Sequence, residues 1–391
     1  MNPTTLVNKI KYSAIFYSIY YYIGTLFVNV MKLFLRSDEK LVLFVSYGGK
    51  CYDDSPRVIF ESMITDLRFK EYKFVWAFLY PEKYDIPSAE VISINSFKYL
   101  KTALKARIWI TNVSMTRGLN FSGKKTFLLN TWHGSPMKII GKDAKERNTF
   151  SPKGDSSIAD ILLAQSDYDM EVFSNGFNIP INKIACIGYP RNDRLIEDNT
   201  VDKITKIKQK LNLPIDKKIL LYAPTYREYI KDENNNCILS VPFDLNKWQQ
   251  LLDKDYFLII KGHSEVRSSF NKNNSFVIDL SGYTNLNDLL LVSDILISDY
   301  SSIMIDYSIL RRPILCYIYD YDKYASERGF IFDIRNHLSY ETDEDSLLRH
   351  IVTVDTEKEL EKVDKFQKKF VQECGHATAK TLNIIFENIN N

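Results

Sequence analysis

Short apolar runs that alternate with helical stretches constrain this chain more than any other feature. Leu41 to Ser46, Lys73 to Leu79, Val91 to Ile94, Arg107 to Thr111, Thr126 to Asn130, Ile161 to Ala164 and Lys183 to Ile187 each read as a strand. Helix signals fall between them. At Asp54-Ser55-Pro56, for example, a capping side chain precedes a proline of the first turn. Such alternation implies a largely parallel sheet. A polar helix from about Asp202 to Leu211 then leads to Pro214-Ile215-Asp216, and the pattern restarts. The later strands are expected at Lys218 to Ala223, Phe257 to Lys261, Phe276 to Asp279, Ile295 to Ser298 and Pro313 to Tyr317. The expected class is α/β, with two doubly wound units.

With 391 residues, 45% hydrophobic and 26% charged, the chain is long enough for two or three cored domains. A formal net charge of +2 gives no electrostatic footprint for nucleic acid. The five cysteines are scattered, with no Cys-x-x-Cys pair, which fits a reducing compartment and no disulfide framework. Ser13 to Met31 is free of charge and flanked by Lys9, Lys11, Lys32 and Arg36. Its length is near the ~20 residues that span a bilayer. Its tyrosines, Tyr17, Tyr20, Tyr21 and Tyr22, prefer the interface. No small-residue cleavage site is evident. A helix lying on the membrane surface is expected, with a true span or a buried core helix as the alternatives.

The strand ends carry the candidate chemistry. Thr126 to Asn130 runs into Thr131-Trp132-His133-Gly134-Ser135-Pro136-Met137-Lys138, where glycine and proline force a loop. His133 and Lys138 then sit at a sheet edge, where open α/β folds place their ligands. His133 is either a base or a packed partner of Trp132; Lys138 either steers an anion or is a solvated loop residue. In the second half, one strand ends in Thr225 and Arg227, the next in Lys261-Gly262-His263, and a later one in Ser301 and Ser302 at a helix start. Hydroxyls, cationic side chains and a helix N-terminus together suit a phosphate. Arg328, beside Gly329, either reaches the same crevice or pairs with Asp320 or Asp322. Arg191 and Asp193 either line the cleft or form a structural pair. There is no Walker loop, no Gly-x-Gly-x-x-Gly fingerprint and no Gly-x-Ser-x-Gly elbow. Nor is there metal-ligand spacing between His133 and His263, so a metal site is not indicated.

One ordered set of motifs carries a resemblance. Trp132-His133-Gly134-Ser135-Pro136-Met137-Lys138, Gly188-Tyr189-Pro190-Arg191-Asn192-Asp193, Tyr222-Ala223-Pro224-Thr225-Tyr226-Arg227, Lys261-Gly262-His263, Ser298-Asp299-Tyr300-Ser301-Ser302 with Asp306, and Arg328-Gly329-Phe330 with Asp333 resemble the CDP-glycerol glycerophosphotransferase family. These enzymes build teichoic acids and related polyol-phosphate polymers. The opening segment Phe44 to Arg57 is also similar, except that Asp53-Asp54-Ser55 stands where a Ser-Asp-Asn pattern is usual. No site residue is assigned in that segment.

The resemblance implies a GT-B-like fold, with two Rossmann-like domains facing a cleft. The expected division is a membrane-associating helical segment over 1–38, an acceptor-side domain over 39–200, a CDP-donor domain over 201–342, and C-terminal helices over 343–391 that brace the first domain. It implies transfer of glycerol phosphate, or a related polyol phosphate, from a CDP-activated donor to a hydroxyl of a lipid-linked or glycan acceptor, with release of CMP. The expected place is the cytoplasmic face of the membrane, in teichoic acid or capsule-type synthesis. His133 would be the base and His263 would stabilise the pyrophosphate. Thr225, Arg227, Ser301, Ser302 and Arg328 would hold the donor. No cofactor is required, and the need for a divalent metal is left open. The alternatives are a GT-B glycosyltransferase using a nucleotide sugar and a non-catalytic membrane scaffold.

Overall fold

The apolar runs of the first half form seven strands in a computed structural model of the protein: β1 Asp38–Val45, β2 Lys73–Phe78, β3 Ala89–Ser93, β4 Ala106–Thr111, β5 Phe127–Asn130, β6 Ile161–Ala164 and β7 Ile184–Cys186. The structure describes residues 13–121, 125–143, 155–225, 227, 238–239, 241–262, 267–268 and 274–390. Every pairing in the sheet is parallel, in the order β3-β2-β1-β4-β5-β6-β7. The central parts of the strands are apolar on both sides because a parallel sheet is covered on both faces. Val42, Phe44, Ile108 and Ile110 pack on one side, and Leu41, Leu43, Val45 and Trp109 on the other. Trp76 stacks between Phe44 at 5.0 Å and Phe78 at 5.7 Å, with Phe60 edge-on.

The second half supplies β8 Lys218–Tyr222, β9 Ile238–Leu239, β10 Tyr256–Ile260, β11 Arg267–Ser268, β12 Val277–Asp279, β13 Ile295–Ser298, β14 Ile314–Tyr317 and β15 Ser339–Glu341. Six of these form a parallel sheet ordered β12-β10-β8-β13-β14-β15, while β9 and β11 pair separately. Counted within its own sheet, that order is 3-2-1-4-5-6, the Rossmann arrangement, and the first six strands of the other sheet repeat it. In each sheet the direction of winding reverses at one point, between β1 and β4 and between β8 and β13. Ligands of such sheets bind beyond the carboxyl ends of the strands at that point.

Two units result. One comprises Met1–His133, Ile140–Arg191 and His376–Asn391; the other comprises Gly134–Ile139 and Asn192–Gly375. The passage between them lies at Arg191 and Asn192, inside the helix Pro190–Glu197, rather than near residue 200. The C-terminal helices are shared out differently from the expectation. Glu344–Val352 and Thr356–Phe370 belong to the second unit, where Phe370 stacks on Phe332 at 4.6 Å. Only Ala377–Asn390 packs on the first unit, with Leu382 and Ile385 buried among Phe60 and Phe69. Gly375, at φ 87°, makes the turn that separates the last two helices.

The N-terminal stretch is the helix Ala14–Phe34. One side is fastened to the first unit. The Tyr17 and Tyr20 hydroxyls donate to the Gly118 and Arg117 carbonyls at 3.2 and 2.7 Å, and Val28 is fully buried. The other side leaves Ile15, Tyr22, Ile23, Leu26, Leu33 and Phe34 exposed. It is one helix long and apolar enough to cross a membrane by length and composition.

Candidate functional site

In the first unit β5 ends at Asn130, and two hydrogen bonds hold the exit. Thr131 N donates to the Thr111 carbonyl at 2.8 Å, and Trp132 N to Asn130 Oδ1 at 2.9 Å. Trp132 takes the left-handed conformation at φ 53°, and Gly134 follows at φ 131°, so the chain doubles back around His133. The Trp132 ring packs against Phe173 and Phe177, and the His133 ring lies 4.1 Å from it. His133 Nδ1 lies 2.9 Å from the carbonyl of Asn112, the residue that follows β4. A carbonyl only accepts, so Nδ1 carries the proton and Nε2 keeps its lone pair. Burial pulls the imidazole below its ordinary pKa, with Arg191 adding to the effect; the Asn112 bond and Asp54 pull the other way. The His133 ring is therefore neutral at neutral pH, in the tautomer whose Nε2 can accept a proton.

Around it lies a group of which the sequence singled out only Arg191. Asn112 is fully buried, and its Oδ1 accepts from Tyr47 N at 2.8 Å. The Tyr47 hydroxyl donates to Asp54 Oδ2 at 2.5 Å, and Arg191 Nη1 donates to the same carboxylate at 2.9 Å. Asp54 is 7% exposed and sits at φ 64°, a conformation rarely held by a non-glycine residue. The helix Asp54–Met63 starts with Pro56 in its first turn, as the sequence suggests, but it begins at a left-handed residue and without a side-chain cap. Arg191 pairs with Asp54, and Asp193 lies buried in the other unit. The strand order explains why these residues were missed. Nothing in the sequence says that β1 and β4 are neighbours at a switch point, and only that adjacency brings Tyr47, Asn112 and His133 together.

In the second unit Thr225 and Arg227 follow β8, and Asp299 to Ser302 follow β13, on either side of the switch point. Thr225 N donates to Asp299 Oδ1 at 2.8 Å, and Ser298 Oγ to the Ala223 carbonyl at 2.6 Å. Thr225 Oγ1 is buried with no hydrogen-bond partner among the described residues. Ser301 and Ser302 are half-buried and precede the short helix Ile303–Ser308. Ser302 makes no capping bond through its side chain, and Ser301 Oγ accepts only weakly from Ile303 N, at 3.4 Å.

Arg227, expected to hold the donor, is engaged by groups of the protein. It is 5% exposed, and its guanidinium is committed: Nε and Nη2 to Asp320 at 2.8 and 2.9 Å, Nη1 to Asp299 at 2.8 Å and to the Thr225 carbonyl at 2.6 Å. The rings of Tyr300, Tyr319 and Tyr324 surround it at 5.0–5.5 Å. A bidentate, fully neutralised guanidinium fastens strand ends together rather than offering its charge. Asp320 is thus the partner of Arg227. Arg328 is exposed at the last position of the helix Tyr321–Arg328. Gly329 follows at φ 69°, where a Cβ would come within 2.8 Å of Ile139 Cδ1. That contact belongs to a small antiparallel bridge between Lys138 and Phe330, with Ile331 N donating to the Met137 carbonyl at 3.0 Å. The Lys138 ammonium lies 5.4 Å from the Tyr324 ring centre. His263 lies outside the described residues. Among the described residues no group of three or more His, Cys, Asp or Glu side chains could hold a metal.

Each unit is a Rossmann-type sheet with polar residues gathered at its switch point. The class is therefore a two-unit α/β protein of the Rossmann type. The chain belongs to the CDP-glycerol:poly(glycerophosphate) glycerophosphotransferase family, whose profile matches residues 27–387. It is 34% identical over 349 residues to a teichoic acid poly(glycerol phosphate) polymerase of Staphylococcus epidermidis, a match covering 85% of this chain and 48% of that protein. It thus spans about half the length of that relative. It is 33% identical over 314 residues to a teichoic acid glycerol-phosphate transferase of Staphylococcus aureus, covering 77% of this chain and 80% of that one. Among solved structures, a variant of the wall teichoic acid polymerase TagF soaked with CDPG superposes with a TM-score of 0.85 at 30% identity, over 93% of this chain and 92% of that one. A co-structure of S. aureus MnaA with UDP, at 12% identity and a TM-score of 0.53, covers 90% of this chain and 97% of its own, and shows the fold alone.

Proposed function

We propose that this protein moves glycerol phosphate, or a closely related polyol phosphate, from its CDP-activated form to a hydroxyl of a membrane-associated acceptor. The product is a teichoic acid or capsule-type polymer, and CMP is released. The observation that carries the reading is His133, held at a strand end in the proton-accepting tautomer with its pKa drawn down. In the reaction the acceptor oxygen bonds to the β-phosphorus while the bond from that phosphorus to the bridging oxygen breaks. CMP leaves with the bridging oxygen, and the acceptor proton passes to His133 Nε2. Phosphoryl transfer asks the protein for positioning and charge stabilisation more than for covalent chemistry. The backbone N–H groups before the helix Ile303–Ser308, with Thr225, Ser301 and Ser302, supply hydrogen-bond donors for the phosphates. Arg227 holds that loop in place, and His263 is assigned the stabilisation of the pyrophosphate. Lys138 and Arg328 add positive charge for an anionic substrate.

The exposed side of the helix Ala14–Phe34 supports attachment to the cytoplasmic membrane surface. A helix fastened along one side by Tyr17, Tyr20 and Val28 offers its other side to lipid, as an interfacial helix does. The nucleotide-sugar alternative rests on fold likeness alone. Calorimetry with a panel of CDP-polyols and UDP-sugars tests the donor. CDP-glycerol should bind in the micromolar-to-millimolar range and be hydrolysed or transferred with CMP release; selective binding of a UDP-sugar would overturn the reading.

A further inference from the structure

The buried ion pair of the first unit lies next to the proposed base, and the mechanism above does not use it. From His133 a continuous path of bonds leads to it: Nδ1 to the Asn112 carbonyl, Asn112 Oδ1 to Tyr47 N, Tyr47 hydroxyl to Asp54, and Asp54 to Arg191. The Tyr47 ring also lies 6.0 Å from the His133 ring. These residues come from five places: the loop after β1, the first turn of Asp54–Met63, the residue after β4, the loop after β5 and the start of Pro190–Glu197. A carboxylate that is 7% exposed, on a residue held at φ 64°, costs stability twice, once for the buried charge and once for the backbone. Costs of that kind cluster at functional sites.

We propose that Asp54 and Arg191 are positioning residues that set the basicity of His133, with Tyr47 and Asn112 as the strap that holds the imidazole beside them. The inference rests on His133 being the base. Asp54 favours the imidazolium and Arg191 opposes it, so the ion pair acts on the imidazole through two opposing charges. Among the described residues, the charged groups acting on His133 are Asp54 and Arg191, the Tyr47 ring lies 6.0 Å away, and Asp53 adds its charge at Tyr47. The pair also lets a charged acceptor or donor change the balance. A phosphate approaching Arg191 would offset its positive charge and leave Asp54 to raise the affinity of His133 for the incoming proton.

Opposite charges give opposite signs, which a purely structural role would not. Asp54→Asn leaves Arg191 unopposed and should move the acid limb of the kcat/KM profile to lower pH. Arg191→Gln leaves Asp54 unopposed and should move it to higher pH. Each displacement should be on the order of half a pH unit or more, as expected for one unit charge at this range. Arg191→Lys, which keeps the charge, should leave the limb where it is, and the double variant Asp54→Asn with Arg191→Gln should return it towards wild type. Circular dichroism of each variant guards against loss of fold, and Asp54→Asn, being nearly isosteric, is the variant of choice if Arg191→Gln does not fold. His133→Ala separates the two levels of the argument. If it keeps wild-type turnover, the base assignment fails. If it abolishes turnover while Asp54→Asn lowers the rate with an unmoved limb, the base stands and the positioning inference is overturned.

Discussion

Removing the Arg227 guanidinium tests whether this residue builds the donor site or binds the donor. The side chain makes four hydrogen bonds in the structure, two to Asp320, one to Asp299 and one to the Thr225 carbonyl. Arg227→Met keeps the packing against Tyr300, Tyr319 and Tyr324 but strands two carboxylates. The Asp299 side chain is 2% exposed and that of Asp320 is 11% exposed. Breaking one side of a buried ion pair costs about 3–5 kcal/mol. That is a large part of the ~5–15 kcal/mol that holds a domain folded. The second unit should melt roughly 10 °C lower, taking ~2–4 °C per kcal/mol for a domain of this size. The triple variant with Asp299→Asn and Asp320→Asn removes the stranded charges and should recover part of the loss. Thermal denaturation with CDP-glycerol calorimetry on the same samples reads both quantities. Asp320→Asn adds a test of sign. If Arg227 fastens the loop, this variant weakens donor binding; if Arg227 were a ligand restrained by Asp320, it would tighten it. An Arg227→Met protein that melts as wild type does but no longer binds CDP-glycerol would refute the reasoning.

The first unit and the helix give further expectations. His133→Ala should lose about two to four orders of magnitude in turnover, the usual worth of a positioned base, with CDP-glycerol binding unchanged by calorimetry. The acid limb of wild-type kcat/KM should fall below the ~6.5 of a free imidazole, because burial favours the neutral ring; a limb above 7 in the pH–rate profile would contradict the site as described. Asp53 should show the opposite linkage in stability. Burial, and the Asp54 charge, push its carboxyl up to about 6, so the folded state holds a proton that the unfolded chain has lost from 3.8 upward. Stability contributed here falls as pH rises between those two values. Asp53→Asn should therefore raise the melting temperature more at pH 7.5 than at pH 4.5, and an equal gain at both would count against it. Replacing Ile23 and Leu26 with glutamate should lower partitioning onto anionic vesicles at least tenfold, since each exposed apolar side chain contributes about 1.5–3 kcal/mol when buried. The melting temperature should not change, and undiminished sedimentation with vesicles would remove the membrane role from this helix.

Much of the architecture was legible because a parallel sheet writes itself plainly. Runs such as Ile219 to Leu221 and Ile295 to Ile297 are apolar throughout and lead into polar strand ends, so both the strands and the ligand edge follow from the pattern. The Trp132-His133-Gly134 loop was equally readable, since glycine at φ 131° is a conformational requirement with a sequence signature. The boundary near Arg191 was not readable, because the chain crosses between units inside the helix Pro190–Glu197, without the Pro- or Gly-rich linker that would mark it. Charge pairing was not legible. Arg227 read as a donor ligand and Arg191 as a cleft residue or the partner of Asp193, and each is matched by a carboxylate distant in sequence: Asp320 is 93 residues from Arg227, and Asp54 is 137 from Arg191. Pairing of that kind depends on strand order, which local sequence does not encode. The Asp54 backbone, left-handed at a helix start, runs against propensity, and a local rule set aside in this way is itself a mark of a functional site.

The most direct measurement is the mass of the acceptor after incubation with CDP-glycerol and a lipid-linked hydroxyl acceptor, read alongside CMP released. The account predicts growth of the acceptor by whole glycerol-phosphate units, one for each CMP, and none with His133→Ala. CMP release with an unchanged acceptor mass, or growth by a sugar from a UDP donor instead, would contradict it.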